Sequence, residues 1–498
     1  METLLFFYFI MSFLLTAIIH HKLQPTVHPS GDNAPPTYAL IGCLISFYKN
    51  RHRLLSWYTD LLSASSTQTV VIRRLGARKT IITANPENVE YMLKTNFVNF
   101  PKGKPFTEIL NDFLGFGIFN VDGDLWHSQR KLASHQFTSR LLKQHMEVNV
   151  KEAVKTKLFP LLDSFAGDID ATVDLQEVLK RLGFDIVCKL SLGFDPLCLG
   201  DRSSFSDDVS ILKAFDLAGV ISAKRAAIPI AAVWKLKKLF GIGSEKVLKD
   251  SVTEIHEYVT QIIRKRKENI KKMIIINKSD QNDHDLLTKL IMEGMGEEMI
   301  RDMVISFIMA GRDTTSAAMT WLFYALSRNS HVEEKLVTEI RLNFKDDEFD
   351  DFKEMKYLQA CLCETMRLYP PVSWDSKHAV ADDTLPDGTP VTAGDRVTYF
   401  PYGMGRMESI WGADRMEFKP ERWLELDREV SPYKYPVFQA GPRVCLGKGM
   451  ANAQMSYVVA SMVNRFEMTA VGSGEALYLP SLTAHMGGGF NVSVRRRW

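Results

Sequence analysis

The chain has 498 residues, of which 46% are hydrophobic and 24% are charged, and its formal net charge is +2. This length exceeds the usual size of one compact core, and the apolar content excludes wholesale disorder. A net charge so close to zero argues against a nucleic-acid partner.

The N-terminal segment differs from the rest of the chain. Residues 3–19 carry no charged side chain, and as a helix they would extend about 26 Å, close to the ~30 Å hydrocarbon core of a bilayer. Only Glu2 precedes this run, whereas a cleaved signal peptide has a basic leader. We therefore predict an uncleaved membrane anchor over 1–22, favoured over a signal peptide, and a proline-containing hinge and lead-in segment over 23–60. The basic residues after the run place the remainder in the cytosol.

Along the rest of the chain helical periodicity dominates. The β-branched runs 69–74 and 78–83, separated by Gly76, predict a hairpin. The longest helix is predicted over 297–328, and its apolar middle indicates that it crosses the interior. Further helices are predicted over 352–368 and 446–466, with short strands over 389–400 and after 475. The fold class is therefore mainly α with small β-sheets.

Residues 217–241 are apolar with interspersed lysines. This pattern suits contact with a membrane surface, and a buried helix pair explains it almost as well.

Trp126 and Arg130 are four residues apart, so both side chains lie on one face of a predicted helix. Their N–H groups are donors that suit a carboxylate. Taken alone, each side chain favours a surface role.

The middle of the long helix reads Ala310-Gly-Arg-Asp313-Thr314-Thr315. A glycine inside a helix costs about 1 kcal/mol relative to alanine, and close approach of a flat ligand would offset that cost. A threonine hydroxyl can open a small bulge in the helix, and Asp313 with Thr314 would relay protons. The alternative is an ordinary kink.

Glu364 and Arg367 are three residues apart on the helix predicted over 352–368, so they can pair. Arg422 supplies a second arginine before the last motif. Two arginines around one carboxylate predict a buried ionic cluster with a structural role.

The most specific motif is the loop 438–447, which holds one cysteine among six that form no C-x-x-C pair. One thiolate with aromatic cover and a nearby cation is what a cysteine-ligated haem iron needs. The alternative is a buried structural thiol in a turn. Five positions define the pattern: Phe438, Gly441, Arg443, Cys445 and Gly447.

This loop resembles the haem-binding loop of the cytochrome P450 family, and the motifs at 310–315 and at Glu364, Arg367 and Arg422 match that family in order. The resemblance implies the cytochrome P450 fold, with a haem-thiolate monooxygenase domain over 61–498. It implies haem b with Cys445 as the axial metal ligand, and Asp313 and Thr314 as catalytic residues. The implied haem-propionate ligands are Trp126 and Arg130, with Lys377 and His378 as further candidates between which the sequence does not choose. The other implied cofactor-binding residues belong to the cysteine loop and are Phe438, Gly441, Arg443 and Gly447.

At finer grain, 100–103, 115–123, 375–378 and 438–448 resemble the plant fatty-acid ω-hydroxylase branch, which includes hydroxylases of jasmonoyl-amino acid conjugates. Gly449 departs from the acidic residue expected there, and the glutamate near Ala310 that tethers haem covalently in animal ω-hydroxylases is absent. The resemblance implies pocket residues Phe106, Phe113, Phe119, Phe307, Ile308, Ala310, Trp374 and Met486, although core packing explains each one equally well. Lys102 or Lys104 is a candidate to hold a substrate carboxylate.

The implied reaction is hydroxylation of a fatty acid at or near the ω carbon. The alternatives are hydroxylation of jasmonoyl-isoleucine or a related oxylipin, a haem-thiolate isomerase or dehydratase that uses no dioxygen, and a non-catalytic haem sensor. Electrons would come from NADPH through a membrane-bound cytochrome P450 reductase, attracted by Lys131 and Lys448. The expected location is the endoplasmic reticulum membrane, with the catalytic domain facing the cytosol.

Overall fold

The structure is a computed structural model, and it describes residues 34–38, 41–73, 79–168, 170–205, 209–228, 231–275, 285–344, 354–425, 429–472 and 474–497. The predicted anchor over 1–22 and the beginning of the hinge lie outside the described residues. Within the described ranges, no helix combines the length and the apolarity that crossing a membrane requires.

Helices make up most of the described chain, as the sequence predicts. In chain order they are α1 (Leu44–Lys49), α2 (Leu54–Ala64), α3 (Pro86–Glu90), α4 (Lys104–Leu114), α5 (Gly123–Ser134), α6 (Ser139–His145), α7 (Lys151–Ala153), α8 (Phe159–Ala166), α9 (Leu175–Leu192), α10 (Arg202–Phe205), α11 (Ser210–Ala227), α12 (Ala231–Phe240), α13 (Ser244–Ile275), α14 (Leu286–Met292), α15 (Glu297–Arg328), α16 (Ser330–Asn343), α17 (Lys356–Leu368), α18 (Pro401–Met404), α19 (Glu408–Trp411) and α20 (Lys448–Arg465).

The strands are short. They are β1 (Thr69–Ile72), β2 (Thr80–Thr83), β3 (Thr172–Asp174), β4 (Asp375–His378), β5 (Asp383–Thr384), β6 (Pro390–Val391), β7 (Arg396–Tyr399), β8 (Phe466–Ala470), β9 (Leu477–Leu479), β10 (His485–Gly487) and β11 (Asn491–Arg496). The predicted hairpin is confirmed, since β1 pairs antiparallel with β2 from Thr69 opposite Thr83. The strand expected over 389–400 is divided into β6 and β7, because Gly394 adopts φ 82° and Thr392 and Asp395 close a turn between them.

The chain forms two compact units that alternate along the sequence. Unit 1 contains Met1–Pro101, Ala227–Leu236 and Trp374–Arg415, and unit 2 contains Lys102–Ala226, Lys237–Ser373 and Met416–Trp498. Unit 1 is built on a sheet of order β1-β2-β7-β4, in which β2 and β7 are parallel. Asn85 caps α3 of this unit by accepting a hydrogen bond from the Glu87 N–H, as the Asn-Pro-Glu sequence indicates.

Unit 2 is mainly helical, with a β3-β11-β8 sheet and a β9–β10 hairpin. Its long helix α15 begins and ends at the predicted residues. The N-terminal half of α15 packs in a hydrophobic cluster with α4, α9, α11, α13 and α14. Its C-terminal half packs in a second cluster with α8, α9, α17, α20 and β11. The motif 310–315 lies between these two halves, so the core of unit 2 fixes its position on both sides.

Candidate active site

The cysteine loop joins a 3₁₀ turn, Pro436–Phe438, to the first residue of α20, Lys448. Gln439 and Gly441 adopt φ of 60° and 65°, a region that glycine occupies without strain. The Cys445 N–H donates to Phe438 O at 2.8 Å, which closes the loop. Cys445 therefore stands just before the N-terminus of an 18-residue helix, where the helix dipole favours a negative sulfur.

The surroundings of Cys445 affect the ionisation of its thiol. Its side chain is exposed, yet desolvation by the surrounding protein raises the pKa of its thiol. The Gly447 N–H, Arg130 and Lys448 oppose that rise in pKa. The site thus supplies the groups that stabilise a thiolate, and a bound metal cation would complete the deprotonation.

Two side chains of helix α5, Trp126 and Arg130, contact this loop. Arg130 Nη2 donates to Val444 O at 2.7 Å. The guanidinium of Arg443 lies over the ring of Trp126, 4.3 Å from its centroid, and that of Arg130 lies 5.7 Å from the same centroid. Three predicted cofactor-binding residues, Trp126, Arg130 and Arg443, are therefore neighbours, and two of them belong to one face of α5.

Asp122 is part of this arrangement, although the sequence did not single it out. Its Oδ1 accepts from Arg443 Nη2 at 2.7 Å, beside a second bond from Nη2 to Val121 O at 3.0 Å. The only sequence signal was its place in the segment 115–123, which resembles the plant branch of the family.

A buried cluster of charges centred on Glu364, here called the Glu364 cluster, braces the segment before the cysteine loop. Arg367 binds both carboxylate oxygens of Glu364 at 2.8 Å, and Arg422 Nε donates to Oε1 at 3.0 Å. The sequence predicted these three residues. The Lys419 N–H and the Trp423 indole also donate to Glu364, each at 2.9 Å. Glu364 thus has charge-assisted bonds on both oxygens, as a buried carboxylate requires.

Helix α15 is continuous through the motif 310–315. The Thr314 and Thr315 hydroxyls donate to Ala310 O at 2.7 Å and to Gly311 O at 2.9 Å, without the bulge that we expected. Gly311 has a role in helix packing, and the approach of a flat ligand to it stays a prediction. A Cβ there would lie 2.5 Å from Val187 Cγ2, so the glycine permits α9 to pack closely on α15.

Asp313 belongs to a second set of charges, here called the Arg312 network, formed by Lys180, Asp216, Arg312 and Asp313. Arg312 Nη2 lies 2.5 Å from Asp216 Oδ1, and its Nε lies 3.3 Å from Asp313 Oδ1. Lys180 also pairs with Asp216. Burial raises the pKa of Asp313, and the neighbouring Arg312 only partly offsets that rise. Asp313 is therefore a carboxyl group that holds its proton to a higher pH than an exposed aspartate.

The predicted pocket residues of unit 2 occupy different environments. Phe113 and Ile308 are buried in the cluster around the N-terminal half of α15, and Met486 is buried in the other cluster. Phe307 stacks on Phe137, with ring centroids 6.3 Å apart. The others are Phe106, which lies under the Lys102 ammonium, Phe119, which is exposed, and Ala310, which is partly buried. Their contact with substrate stays a prediction.

Three predicted site residues belong to unit 1. Lys377 and His378 lie on β4, where the buried Lys377 ammonium pairs with Asp375 at 2.9 Å and the His378 N–H donates to Pro101 O at 3.0 Å. Trp374 stacks on Phe400, with centroids 6.1 Å apart. The contact of either β4 residue with a propionate stays a prediction, as does a place for Trp374 in the substrate pocket.

The long central helix with its Asp-Thr pair and the cysteine loop at a helix N-terminus define a haem-thiolate enzyme. The chain belongs to the cytochrome P450 family, whose model, described as Cytochrome P450, matches residues 33–478. The predicted family is confirmed, and the protein is a monooxygenase of the oxidoreductase class.

Curated relatives extend over nearly the whole chain. Cytochrome P450 94B1 of Arabidopsis thaliana is 55% identical over 482 residues, which cover 95% of this chain and 92% of that protein. Cytochrome P450 94B3 of the same plant is 53% identical, covering 98% of this chain and 97% of the relative. Cytochrome P450 94A1 of Vicia sativa is 42% identical, covering 93% and 90%. These relatives are plant proteins of the 94 group, in agreement with the plant branch predicted from the sequence.

Family membership implies a haem whose iron is bound by a cysteine thiolate, and the residues of this site fit that group. Cys445 is a single thiol with stabilising donors around it. Arg443 and Arg130, beside the Trp126 indole, supply the donors that haem propionates require. These residues would hold a haem through one sulfur ligand to the iron and through cationic and indole donors to its propionates.

Proposed function

We propose that the enzyme hydroxylates a fatty acid at or near its terminal carbon. It uses O2 and electrons from NADPH that arrive through a membrane-bound reductase. A fatty acid as the substrate is best supported by the position of Lys102. Its side chain is buried, and its Nζ lies 4.6 Å from the centroid of the Phe106 ring. A cation beside an aromatic wall suits a substrate with one carboxylate and a long alkyl chain.

The residues of the chain have distinct roles in this reaction. The haem, when bound, supplies dioxygen activation at an iron whose thiolate ligand favours O–O cleavage. Cys445 would provide that ligand, and Arg443, Arg130 and Trp126 would hold the propionates. Asp313 keeps a proton available because burial raises its pKa, and Thr314 presents a hydroxyl one residue further along α15.

Binding spectra of the haem-loaded enzyme test the proposed substrate class. Dodecanoic acid should shift the ferric spin state at lower concentration than methyl dodecanoate. Lys102→Met should raise the Kd for the acid about tenfold, which is a loss of ~1.4 kcal/mol of binding free energy. The Kd for the ester should stay nearly unchanged. Lys104→Met is the matched control, since Lys104 is exposed on the same turn. Equal affinity of the wild-type and Lys102→Met enzymes for the acid contradicts a carboxylate contact at Lys102.

Product analysis then separates the proposed activity from its rivals. With reductase and NADPH, the expected product is a fatty acid with one hydroxyl at or next to the ω carbon. Turnover of jasmonoyl-isoleucine with a far higher kcat/KM than any fatty acid overturns the fatty-acid assignment. Product formation without NADPH or O2 indicates an isomerase or dehydratase. If none of these substrates yields a product, with or without NADPH and O2, the protein is a haem sensor.

The reductase partner is supported by exposed lysines near the cysteine loop. Lys131 lies on α5 and Lys448 begins α20, and both side chains are exposed. Opposite charges speed the encounter of two proteins at low salt. Replacing both lysines by glutamate should slow haem reduction several-fold at low ionic strength, whereas Lys249→Glu on α13 should not. Equal rates for all three proteins contradict the proposed contact.

Attachment to the endoplasmic reticulum membrane by 1–22 is proposed together with a second contact through α12. That helix exposes Val233, Leu236, Leu239 and Phe240 among lysines, a pattern that suits a bilayer surface. Protein that lacks 1–22 should still bind anionic vesicles, and Leu239→Glu with Phe240→Glu should weaken that binding. Vesicle binding unaffected by these two changes excludes the α12 contact.

A further inference from the structure

Asp122 occupies the N-cap position of α5 but does not cap that helix. Aspartate at this position usually accepts a hydrogen bond from an N–H in the first turn of its own helix. Here no such bond forms. Its Oδ1 accepts instead from the Lys102 N–H and its Oδ2 from the Gly103 N–H, both at 3.0 Å. The carboxylate therefore anchors a segment about twenty residues earlier in the chain.

The anchored segment is the start of α4. Gly103 is the N-cap residue of α4 and has φ 76°, which turns two successive N–H groups toward Asp122. Lys102 and Phe106, the residues that support a fatty-acid substrate, stand on either side of Gly103. The position of Asp122 thus determines where α4 begins.

The same carboxylate binds Arg443. The Arg443 guanidinium, 8% exposed, donates to Asp122 Oδ1 and lies over the Trp126 ring, two residues before Cys445 in sequence. A guanidinium has five N–H donors, so pairing with Asp122 through Nη2 is compatible with binding a second carboxylate. Asp122 connects a haem-binding arginine with the α4 N-terminus through hydrogen bonds of 2.7 and 3.0 Å.

We propose that Asp122 is a positioning residue that couples the α4 N-terminus to Arg443. When either of these two is held in its position, the other is held more firmly in its own position. Haem retention then depends on an intact α4 N-terminus. By reciprocity, a ligand that orders α4 slows haem loss. The second consequence rests on the proposed fatty-acid function, whereas the first does not.

A double-mutant cycle on the haem-loaded enzyme tests the coupling without substrate. Asp122→Asn keeps the shape of the side chain and removes its charge, and Gly103→Ala strains the turn because alanine disfavours φ 76°. Each change should speed haem transfer to an acceptor apoprotein, Asp122→Asn by about 5-fold or more. Gly103→Ala should add nothing in the Asp122→Asn background. Independent effects that multiply would overturn the proposal.

Amide hydrogen exchange of the haem-loaded enzyme supplies the second readout. Asp122→Asn should speed exchange at Lys102 and Gly103, whereas Asp124→Asn, an exposed aspartate on the same helix, should change neither exchange nor haem loss. Asp122→Asn protein that loses haem during purification while Asp124→Asn retains it also supports the proposal. Unchanged exchange at both amides in Asp122→Asn would overturn it.

A measurement of haem loss in the presence of substrate distinguishes this inference from the proposed function. Saturating dodecanoic acid should slow haem loss about 5-fold or more in the wild type and have no such effect in Asp122→Asn. The same slowing in both proteins overturns the coupling and leaves the fatty-acid function standing. Failure of dodecanoic acid to bind the wild type contradicts the fatty-acid function, and the mutant cycle still decides on Asp122.

Discussion

The Glu364 cluster and the Arg312 network are both sets of charges around a buried arginine in unit 2, but they are completed to different degrees. Glu364 accepts bonds from two arginines, an indole and a backbone N–H. In the Arg312 network, Nη1 of the buried Arg312 has no hydrogen-bond partner within the part of the chain that the structure describes. Asp313 there has a raised pKa. Complete pairing fixes a loop, whereas incomplete pairing leaves a carboxyl group able to exchange a proton.

The largest expected effect comes from breaking the complete cluster. Glu364→Ala leaves two buried arginines without their carboxylate, so the free energy of unfolding should fall by about 3–5 kcal/mol. Urea unfolding of the haem-loaded protein measures this loss. Glu417→Ala is the control, since its side chain is exposed nearby. A loss below about 1 kcal/mol would show that the cluster does not stabilise the fold as described.

Breaking the incomplete network should affect turnover and spare stability. Asp313→Asn removes the proton donor, so kcat should fall on the order of 10²–10³-fold. The free energy of unfolding should hardly change, because the substitution also removes a carboxyl whose ionisation burial disfavours. Kinetics with saturating reductase, compared with Asp124→Asn, measure the effect. Turnover within threefold of the wild type would contradict a proton-delivery role.

His145 is a third buried polar group to compare with the two charged sets, and burial favours its neutral form. It is 2% exposed, its Nδ1 lies 2.9 Å from Asn149 Nδ2, and desolvation lowers its pKa from 6.5 to about 4. Between these values the unfolded chain binds a proton that the folded chain does not. Stability should therefore fall as the pH drops from 6.5 to 4, by about 3 kcal/mol.

The difference between wild type and His145→Gln isolates this term. The variant should lose that part of the pH dependence, whereas exposed His127→Gln should retain it. Identical pH profiles of unfolding for wild type and His145→Gln would show that His145 is not the group that titrates.

The smallest expected effect concerns the pH dependence of the Arg312 network. Asp216 raises the pKa of Asp313, so Asp216→Asn should lower that pKa and leave Arg312 to pair with Asp313 alone. A step that needs protonated Asp313 is lost as pH rises through its pKa. The alkaline limb of the kcat profile should therefore move to lower pH, with kcat reduced about threefold at neutral pH. A limb that moves to higher pH would contradict the role of Asp216.

Local spacing explains what the sequence could predict. Glu364 and Arg367 are three residues apart on one helix, and the motifs at 310–315 and 438–447 are contiguous. Each of them could therefore be recognised from the sequence alone. Lys419 and Trp423 complete the Glu364 cluster through a loop more than fifty residues away, which no local pattern reports.

Tertiary contacts also supplied two features that the sequence did not predict. The close approach at Gly311 is made by Val187 of α9, a residue with no sequence relation to the motif. Asp122 lies in the predicted segment 115–123, and only the fold brings Lys102 and Arg443 to its carboxylate. Long-range pairing of this kind depends on how helices pack, and hydrophobic periodicity predicts the helices without predicting their partners.

The ferrous carbon monoxide spectrum of the purified protein tests the central claim most directly, namely that Cys445 binds the haem iron. The wild type should show the long-wavelength absorption band that thiolate ligation produces, and Cys445→Ser should lose it. Cys363→Ser, which alters another cysteine of unit 2, should keep the band. A wild-type spectrum without the band, or a Cys445→Ser protein that retains it, would contradict the account.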